Sequence, residues 1–292
     1  MRIDKKSFSL SYLPLLIRLK CCEDAQLPAY LGSTLRGALG WALLSHPKTY
    51  QYIFENRRSG GAKQDISNPY IIEPPRFRSI YFRGDELCFK LILLGEAAHH
   101  TKDMIEALVQ AQHFGLGANR KIFEIVDILH GERFSPIWQE DRLDMSAAIT
   151  EEITAYRQPQ STKCSILFLT PLRIRHGGTL LMELDFATII RSITRRLTDL
   201  TERYGGFVND EEIALLCERS KQIQKISSSL YLSQFSRYTN RRNEQMDFSG
   251  IIGALIFEGN LSHFSPWLEA ARILHIGRNT TFGCGQIDVV SG

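Results

Sequence analysis

The chain has 292 residues, 43% of them hydrophobic and 23% charged, which suits two ordinary domains with real cores and excludes a disordered polyelectrolyte. A formal net charge of +3 and a sequence pI near 8.5 exclude a whole-molecule electrostatic argument for a polyanionic partner, so any basic footprint has to be local. The six cysteines (Cys21, Cys22, Cys88, Cys164, Cys217 and Cys284) form no CxxC pair and no Cys/His spacing suited to zinc, which reads as reduced thiols in a cytoplasmic protein with no metal site.

The opening MRIDKKSFSLSYLPLLIRLK places basic residues before an apolar stretch, as a leader would. However, Ser7, Ser9 and Ser11 alternate with Phe8, Leu10 and Tyr12, the run ends in Arg18 and Lys20, and no small-residue cleavage site follows. It predicts a first strand, and no stretch approaches the ~20 apolar residues of a membrane span. Next comes a predicted helix from Ser33 to about Leu44, with Ser33 as its N-cap and Leu35, Leu39, Ala42 and Leu43 on one side. A basic, glycine-containing loop (Arg57, Arg58, Lys63) follows, with room for a second strand before residue 83. ELCFKLILLG (86–95) reads as a strand, and HTKDMIEALVQAQHF (100–114) has helical spacing through Met104, Ile105, Leu108 and Ala111; the turn GLGANR then leads to the strand KIFEIVDIL.

The second half repeats the order. Strand KCSILFLTPLRI precedes a helix whose stripe of Phe186, Ile189, Ile190, Ile193, Leu197 and Leu200 is ended by Gly205 and Gly206. SLYLSQFSRYTNRRNEQ leaves room for another strand; GIIGALIFEG (250–259), SPWLEAARILHIG (265–277) and GQIDVV then read as strand, helix and strand. Each half is thus β-α-β-β-α-β, which predicts an α+β fold of tandem ferredoxin-like (RRM-like) domains. The polar, weakly periodic stretch near 131–162 marks the join, giving domains over 1–145 and 146–292. That fold by itself selects no function.

Just before the last strand stands IGRNTTFGCGQI. Gly277, Gly283 and Gly285 permit positive φ and close approach, and the turn is expected to expose backbone N–H groups while Arg278, Asn279, Thr280 and Thr281 add donors for phosphate oxygens. It follows a helix and opens a strand, unlike the dinucleotide fingerprint, and no GK[ST] makes a P-loop. On the residues alone, a tight helix-to-strand connection and a nucleic-acid contact are evenly matched. Further basic clusters are Arg191, Arg195 and Arg196 on the helix, and Arg237, Arg241 and Arg242 near a strand end, read as solvated faces or as phosphate footprints.

LGSTLRGALGWALLSH, NPYIIEPP, FGLGANRKIFEIVDI, LTPLRIRHGG, ELDFATIIRSITRRL and IGRNTTFGCGQI span nearly the whole chain. Together they resemble the RAMP superfamily of CRISPR-associated proteins, and within it the repeat-specific endoribonucleases that cut precursor CRISPR RNA. The resemblance implies two tandem domains, a glycine-rich loop beside the RNA backbone, and cleavage without metal or cofactor: a ribose 2′-OH attacks its own phosphate, leaving a 2′,3′-cyclic phosphate and a 5′-OH. It further implies an active histidine at or after the first helix, with a tyrosine before that helix and a nearby lysine. The positions that match are His46, Tyr30 and Lys48. For each a plainer reading stands: a helix C-terminal cation for His46, packing for Tyr30, a solvated ammonium for Lys48.

Expected RNA contacts are Arg36, Arg173, Arg175, Arg191, Arg195, Arg237, Arg241, Arg242, Gly277, Arg278, Asn279, Gly283 and Gly285, with Tyr231, Phe235 and Tyr238 able to stack on unpaired bases. His275 and its first-half counterpart His113 read mainly as core, His176 sits in an expected hairpin, and His99, His100, His130 and His263 read as surface residues. One departure from the family pattern is that YQYIFEN follows the first helix with no cysteines between them. Implied partners are CRISPR repeat RNA and other CRISPR effector subunits; the alternative function is a RAMP subunit that holds repeat RNA without cutting it.

Overall fold

A computed structural model describes residues 7–55, 67–75, 78–111, 114–154, 161–234, 236–239 and 244–292. The chain divides into two compact units, one of residues 10–152 with 203–205, the other of residues 1–9, 153–202 and 206–292.

The first unit runs β1 (Phe8–Cys21), α1 (Gly32–Ala42), α2 (Pro47–Tyr50), β2 (Tyr70–Glu73), β3 (Glu86–Leu94), α3 (Thr101–Gln110), β4 (Phe114–Leu116), β5 (Lys121–His130), β6 (Pro136–Gln139) and β7 (Arg142–Leu143). β1 is central: Leu15 faces Leu91 of β3 on one side, Leu16 faces Leu129 of β5 on the other, and β3 pairs in turn with β2. The order β2-β3-β1-β5, antiparallel throughout, is that of a ferredoxin-like sheet. Alternation along β1 buries Leu13, Leu15, Ile17 and Leu19, and the helices cover them with Leu35, Leu39 and Ala42 of α1 and Met104, Ile105 and Leu108 of α3. Each such side chain contributes about 1.5–3 kcal/mol by leaving water.

The second unit has β8 (Lys163–Leu172), β9 (Arg175–His176), β10 (Thr179–Leu180), α4 (Phe186–Tyr204), α5 (Asp210–Ser220), β11 (Gln224–Ser228), β12 (Tyr231–Ser233), β13 (Gly250–Glu258), α6 (Ser265–Leu274) and β14 (Ile287–Ser291). Its sheet repeats the order as β11-β13-β8-β14, with Leu167 between Ala254 and Asp288. Phe186 of α4 makes edge contacts with Phe257 and Phe264, tying helix, sheet and the approach to α6 together. The chain is therefore an α+β protein of two ferredoxin-like units, as its duplicated pattern predicts.

Several local expectations change. Ser33 is not an N-cap: α1 starts one residue earlier, Leu31 takes that place without a side-chain bond, and Ser33 is buried in the first turn. GLGANR is not a direct helix-to-strand turn, because Phe114–Leu116 pairs back onto β5 as a hairpin around Gly117, which has positive φ. Part of the supposed join is sheet, with Trp138 of β6 opposite Ile128 and Leu143 of β7 opposite Trp138. Strands of four and two residues are too short to show a period. The helix α5, capped by the Asn209 side chain on the N–H of Glu212, was not anticipated.

Candidate active site and nucleic-acid interface

α1 ends at Ala42, a single 3₁₀ turn over Leu43–Ser45 follows, and Pro47 opens α2. Proline suits a first helical position because it has no N–H to leave unsatisfied. His46 is held at the corner between the two helices, its backbone N–H bonded to Leu43 O and its carbonyl accepting from Tyr50. Its side chain is 19% exposed rather than standing free at a helix end. Nδ1 lies 2.9 Å from Ser45 Oγ, and Nε2 faces Glu106 Oε2 at 3.8 Å, with Lys102 Nζ 3.8 Å from the other oxygen of that carboxylate.

Below this corner a second polar group is packed. Thr49 is buried and donates its hydroxyl to Asp103, so the same oxygen accepts from Nδ1–H of His100 at 3.0 Å. The His100 ring packs tilted against Tyr52, with centroids 4.6 Å apart and planes 31° from parallel. Burial pulls the His100 imidazole below its ordinary value despite the opposing charge of Asp103, and burial with the charge of Glu96 pushes the Tyr52 phenol up. Ser45, Thr49, His100, Asp103 and Glu106 were all missed in the sequence. Ser45 and Thr49 flank His46 in the chain, whereas His100, Asp103 and Glu106 come from α3 and its approach, and only packing brings those three to His46. Ligand atoms of His46, Asp103 and Glu106 lie within 4.8 Å of one another, the one trio among the described residues with a metal-ligating arrangement. Asp103 is occupied by Thr49 and Glu106 by Lys102 there, so the donor set is that of an ion-pair network.

Of the other matched positions, Tyr30 is half-buried ahead of α1, and Lys48 is exposed two residues beyond His46. Arg36 sits on α1 with its guanidinium 5.2 Å over the Phe54 ring, a cation–π contact that orders it. The readings of His100 and His130 as surface residues are corrected. His130 is fully buried; its Nδ1 accepts from the N–H of Glu132 and Arg133 and its Nε2–H donates to Ile149 O. His113 lies outside the described residues.

In the second unit the turn after α6 is a locked corner. Eight of its N–H groups are taken within the protein: Ile276 by Gly285 O, Gly277 by Ser192 Oγ, Arg278 by Arg173 O, Phe282 and Cys284 by Asn279 O, Gly283 by Thr280 O, Gly285 by Pro171 O and Gln286 by Thr170 Oγ1. At these eight positions the expectation of exposed backbone donors is corrected. Thr280 and Thr281 are buried, and His275 is fully buried with Nδ1 3.2 Å from Cys284 O. Gly277, Gly283 and Gly285 all have positive φ, as does Asn279. The requirement is sharpest at Gly285, where a Cβ would fall 1.8 Å from Ile276 O.

The arginines divide. Arg173 is buried, donating to Ser249 O and to Asp247 Oδ2 at 3.2 Å. Burial pushes the Asp247 carboxyl up, but the hydrogen bonds from Ser249 and Arg173 hold it below the usual carboxylate range. Arg196 is also buried, donating from Nε to Leu274 O at the end of α6. By contrast Arg191 and Arg195 are exposed one turn apart on α4, and Arg278 is exposed beside half-buried Asn279. Arg175 and His176 are exposed at the tip of the β9–β10 hairpin, whose Gly177–Gly178 turn has positive φ at both residues. The Arg237 backbone belongs to a strand pair of 236–239 with 244–247; its side chain and those of Phe235 and Tyr238, like Arg57, Arg58, Lys63, Arg241 and Arg242, lie outside the described residues. Tyr231 is 60% exposed.

A family model described as an N-terminal domain matches residues 10–152, and one described as CRISPR-associated endoribonuclease Cas6 matches residues 166–287. No curated protein sequence matches the chain. Among solved structures, a partial Cas6-RT-Cas1–Cas2 complex superposes with a TM-score of 0.65 at 14% identity, covering 97% of this chain and 46% of that one. A Cas6-RT-Cas1–Cas2 complex gives the same score, identity and cover, but 29% of its own chain. A Thermus thermophilus Cas6 product complex scores 0.63 at 16% identity over 96% of this chain and 100% of that one. The chain thus spans less than half the length of the first two, and at these identities the likeness is one of fold. No helix among the described residues is long and apolar enough to cross a membrane.

Proposed function

We propose that the chain is a CRISPR-associated protein of the Cas6/RAMP type, an endoribonuclease that cuts CRISPR repeat RNA in precursor transcripts to release guide RNAs. The reaction is internal transesterification: the 2′-oxygen bonds to phosphorus, the bond from phosphorus to the 5′-oxygen breaks, and the products are a 2′,3′-cyclic phosphate and a 5′-OH. It needs a base for the 2′-OH, an acid for the departing oxygen and positive charge for the phosphorane, and it consumes no metal or cofactor.

One observation carries the assignment of the base. His46 is an imidazole at a helix corner, partly exposed, held on one ring nitrogen and with the other making no hydrogen bond among the described residues. A group of this kind supplies about 10²–10⁴-fold in rate. Lys48, exposed beside it, supplies the positive charge, and Tyr30 orients or protonates the leaving group. Trp41, 65% exposed near the end of α1, offers a stacking face for a base. RNA is held by Arg175, Arg191, Arg195 and Arg278, all exposed, with Arg36, Asn279 and the Arg237–Arg242 segment; Arg173, Gly277, Gly283 and Gly285 contribute by shaping the corner that presents them. The matched Cas6-RT-Cas1–Cas2 complexes support association with other CRISPR proteins.

The test is cleavage of end-labelled RNA carrying the host's repeat, in excess EDTA, beside the same RNA with single 2′-deoxy substitutions and beside His46→Ala protein. A single product that survives EDTA, vanishes with one deoxy substitution and falls roughly tenfold or more with His46→Ala is expected. A cut indifferent to His46→Ala moves the chemistry to another residue, and tight binding with no cut makes the chain an RNA-holding RAMP subunit.

A further inference from the structure

Among the described residues Ser45 Oγ has two hydrogen-bond neighbours: the Ala42 carbonyl oxygen at 2.9 Å and His46 Nδ1 at 2.9 Å. A serine hydroxyl carries one hydrogen and two lone pairs, and a carbonyl oxygen can only accept. The hydroxyl hydrogen is therefore spent on Ala42 O, at the start of the 3₁₀ turn that follows α1. What remains at Oγ is a lone pair, so the ring nitrogen facing it has to be the donor. From this chain, Nδ1–H to Ser45 Oγ–H to Ala42 O, we infer that Ser45 is a positioning residue that fixes neutral His46 as its Nδ1–H tautomer and turns the Nε2 lone pair outward as the base.

The other side of the ring agrees. At 3.8 Å the Glu106 carboxylate is too far from Nε2 for a hydrogen bond. It therefore takes no proton from that nitrogen in the neutral ring, yet it faces the N–H that forms when Nε2 accepts one. The tautomer imposed is the opposite of the one free histidine favours in water, so it is a property of the site rather than of the residue. Thr49 repeats the device one turn along: its hydroxyl hydrogen goes to Asp103 and its lone pair takes Nδ1–H of His100. In the cleavage step, Nε2 takes the 2′-OH proton while the 2′-oxygen bonds to phosphorus; Ser45 touches neither.

The inference rests on the functional reading only for that last step, and its test separates the two. In uniformly ¹⁵N-labelled full-length protein at a pH where the ring is neutral, two-bond ¹H–¹⁵N correlation reports which nitrogen carries the proton, with His46 assigned by its loss in His46→Gln. The expected pattern is a protonated Nδ1 and a bare Nε2 in the wild type, reversal to mainly Nε2–H in Ser45→Ala, and recovery in Ser45→Thr. Single-turnover cleavage of repeat RNA should fall roughly tenfold in Ser45→Ala, the scale of one lost hydrogen bond to the ring, with RNA affinity unchanged and rate restored in Ser45→Thr. A wild-type ring carrying its proton on Nε2 overturns the inference outright, whatever the variants do, and so does a Ser45→Ala ring like the wild type. The expected tautomer with no RNA cleavage by the wild type leaves the positioning intact and overturns the functional reading.

Discussion

The two ferredoxin-like units share one strand order but spend their polar residues differently. In the first, the segment after α1 keeps its titratable groups at or near the surface: His46 faces Ser45 and Glu106, and Lys48, two residues on, is exposed. In the second, the comparable chemistry is consumed inside. His275 is buried, Arg173 and Arg196 donate to backbone carbonyls, and eight N–H groups between Ile276 and Gln286 are taken within the turn or by the segments packed against it. A histidine beside a glycine-rich turn is thus a poorer candidate for catalysis than one at a helix corner. The turn must satisfy its own backbone before it can serve a ligand.

The contrast can be broken most forcefully at Gly285. Gly285→Ala brings a Cβ against Ile276 O at a positive φ, and should cost about 3 kcal/mol or more in thermal or denaturant unfolding. An unfolding midpoint equal to the wild type would mean the corner is not locked. Next is Arg196→Met, which keeps the buried stem and removes the donor to Leu274 O; a loss of about 2 kcal/mol in stability is expected, with no change in the salt slope of RNA binding. Arg191→Ala and Arg195→Ala should do the reverse, leaving stability within about 0.5 kcal/mol and lowering the slope of log K against log salt by about 1 for each. A salt slope unmoved by both would take α4 out of the interface.

The smallest effect belongs to Asp185, which caps α4 by accepting from the Thr188 N–H. Asp185→Ala should cost about 1 kcal/mol. Partial burial raises this carboxyl, but the Thr188 contacts and the charge of Arg191 outweigh it and hold it below the usual carboxylate value. A depressed carboxyl contributes stability above its unfolded value and loses it as pH falls through the folded one. The difference in melting temperature between wild type and Asp185→Ala should therefore narrow on acidification below the ordinary carboxylate range. A difference constant with pH would show that the charge adds nothing to the cap.

Local pattern was enough for the scaffold. Period-two alternation along β1 and the 3.6-period stripe of Phe186, Ile189, Ile190, Ile193, Leu197 and Leu200 specify strand and helix because each face must leave water as a unit, and all six residues of that stripe are buried. Duplication of the order then implies the two sheets. The β6 and β7 strands and α5 escaped that reasoning, since two to four residues carry no period and α5 buries only Leu216 and Ser220.

The position of His46 was legible from Pro47 and the end of the helical stripe, because backbone sterics act between neighbours in the chain. Its environment was not. Glu106, Lys102, Asp103 and His100 are more than fifty residues away, and whether a charged side chain meets a histidine or meets water depends on which turn of α3 packs below which turn of α1. The same holds for the arginines: Arg195 and Arg196 are adjacent and indistinguishable as residues, yet a 100° step around α4 leaves one in solvent and aims the other at the last carbonyl of α6. Residue type and spacing decide where a helix begins, which side is apolar and where it ends. Which polar groups share a site is decided only when the helices are laid on the sheet, because desolvation and hydrogen bonding act between atoms close in space, however far apart they lie in the chain.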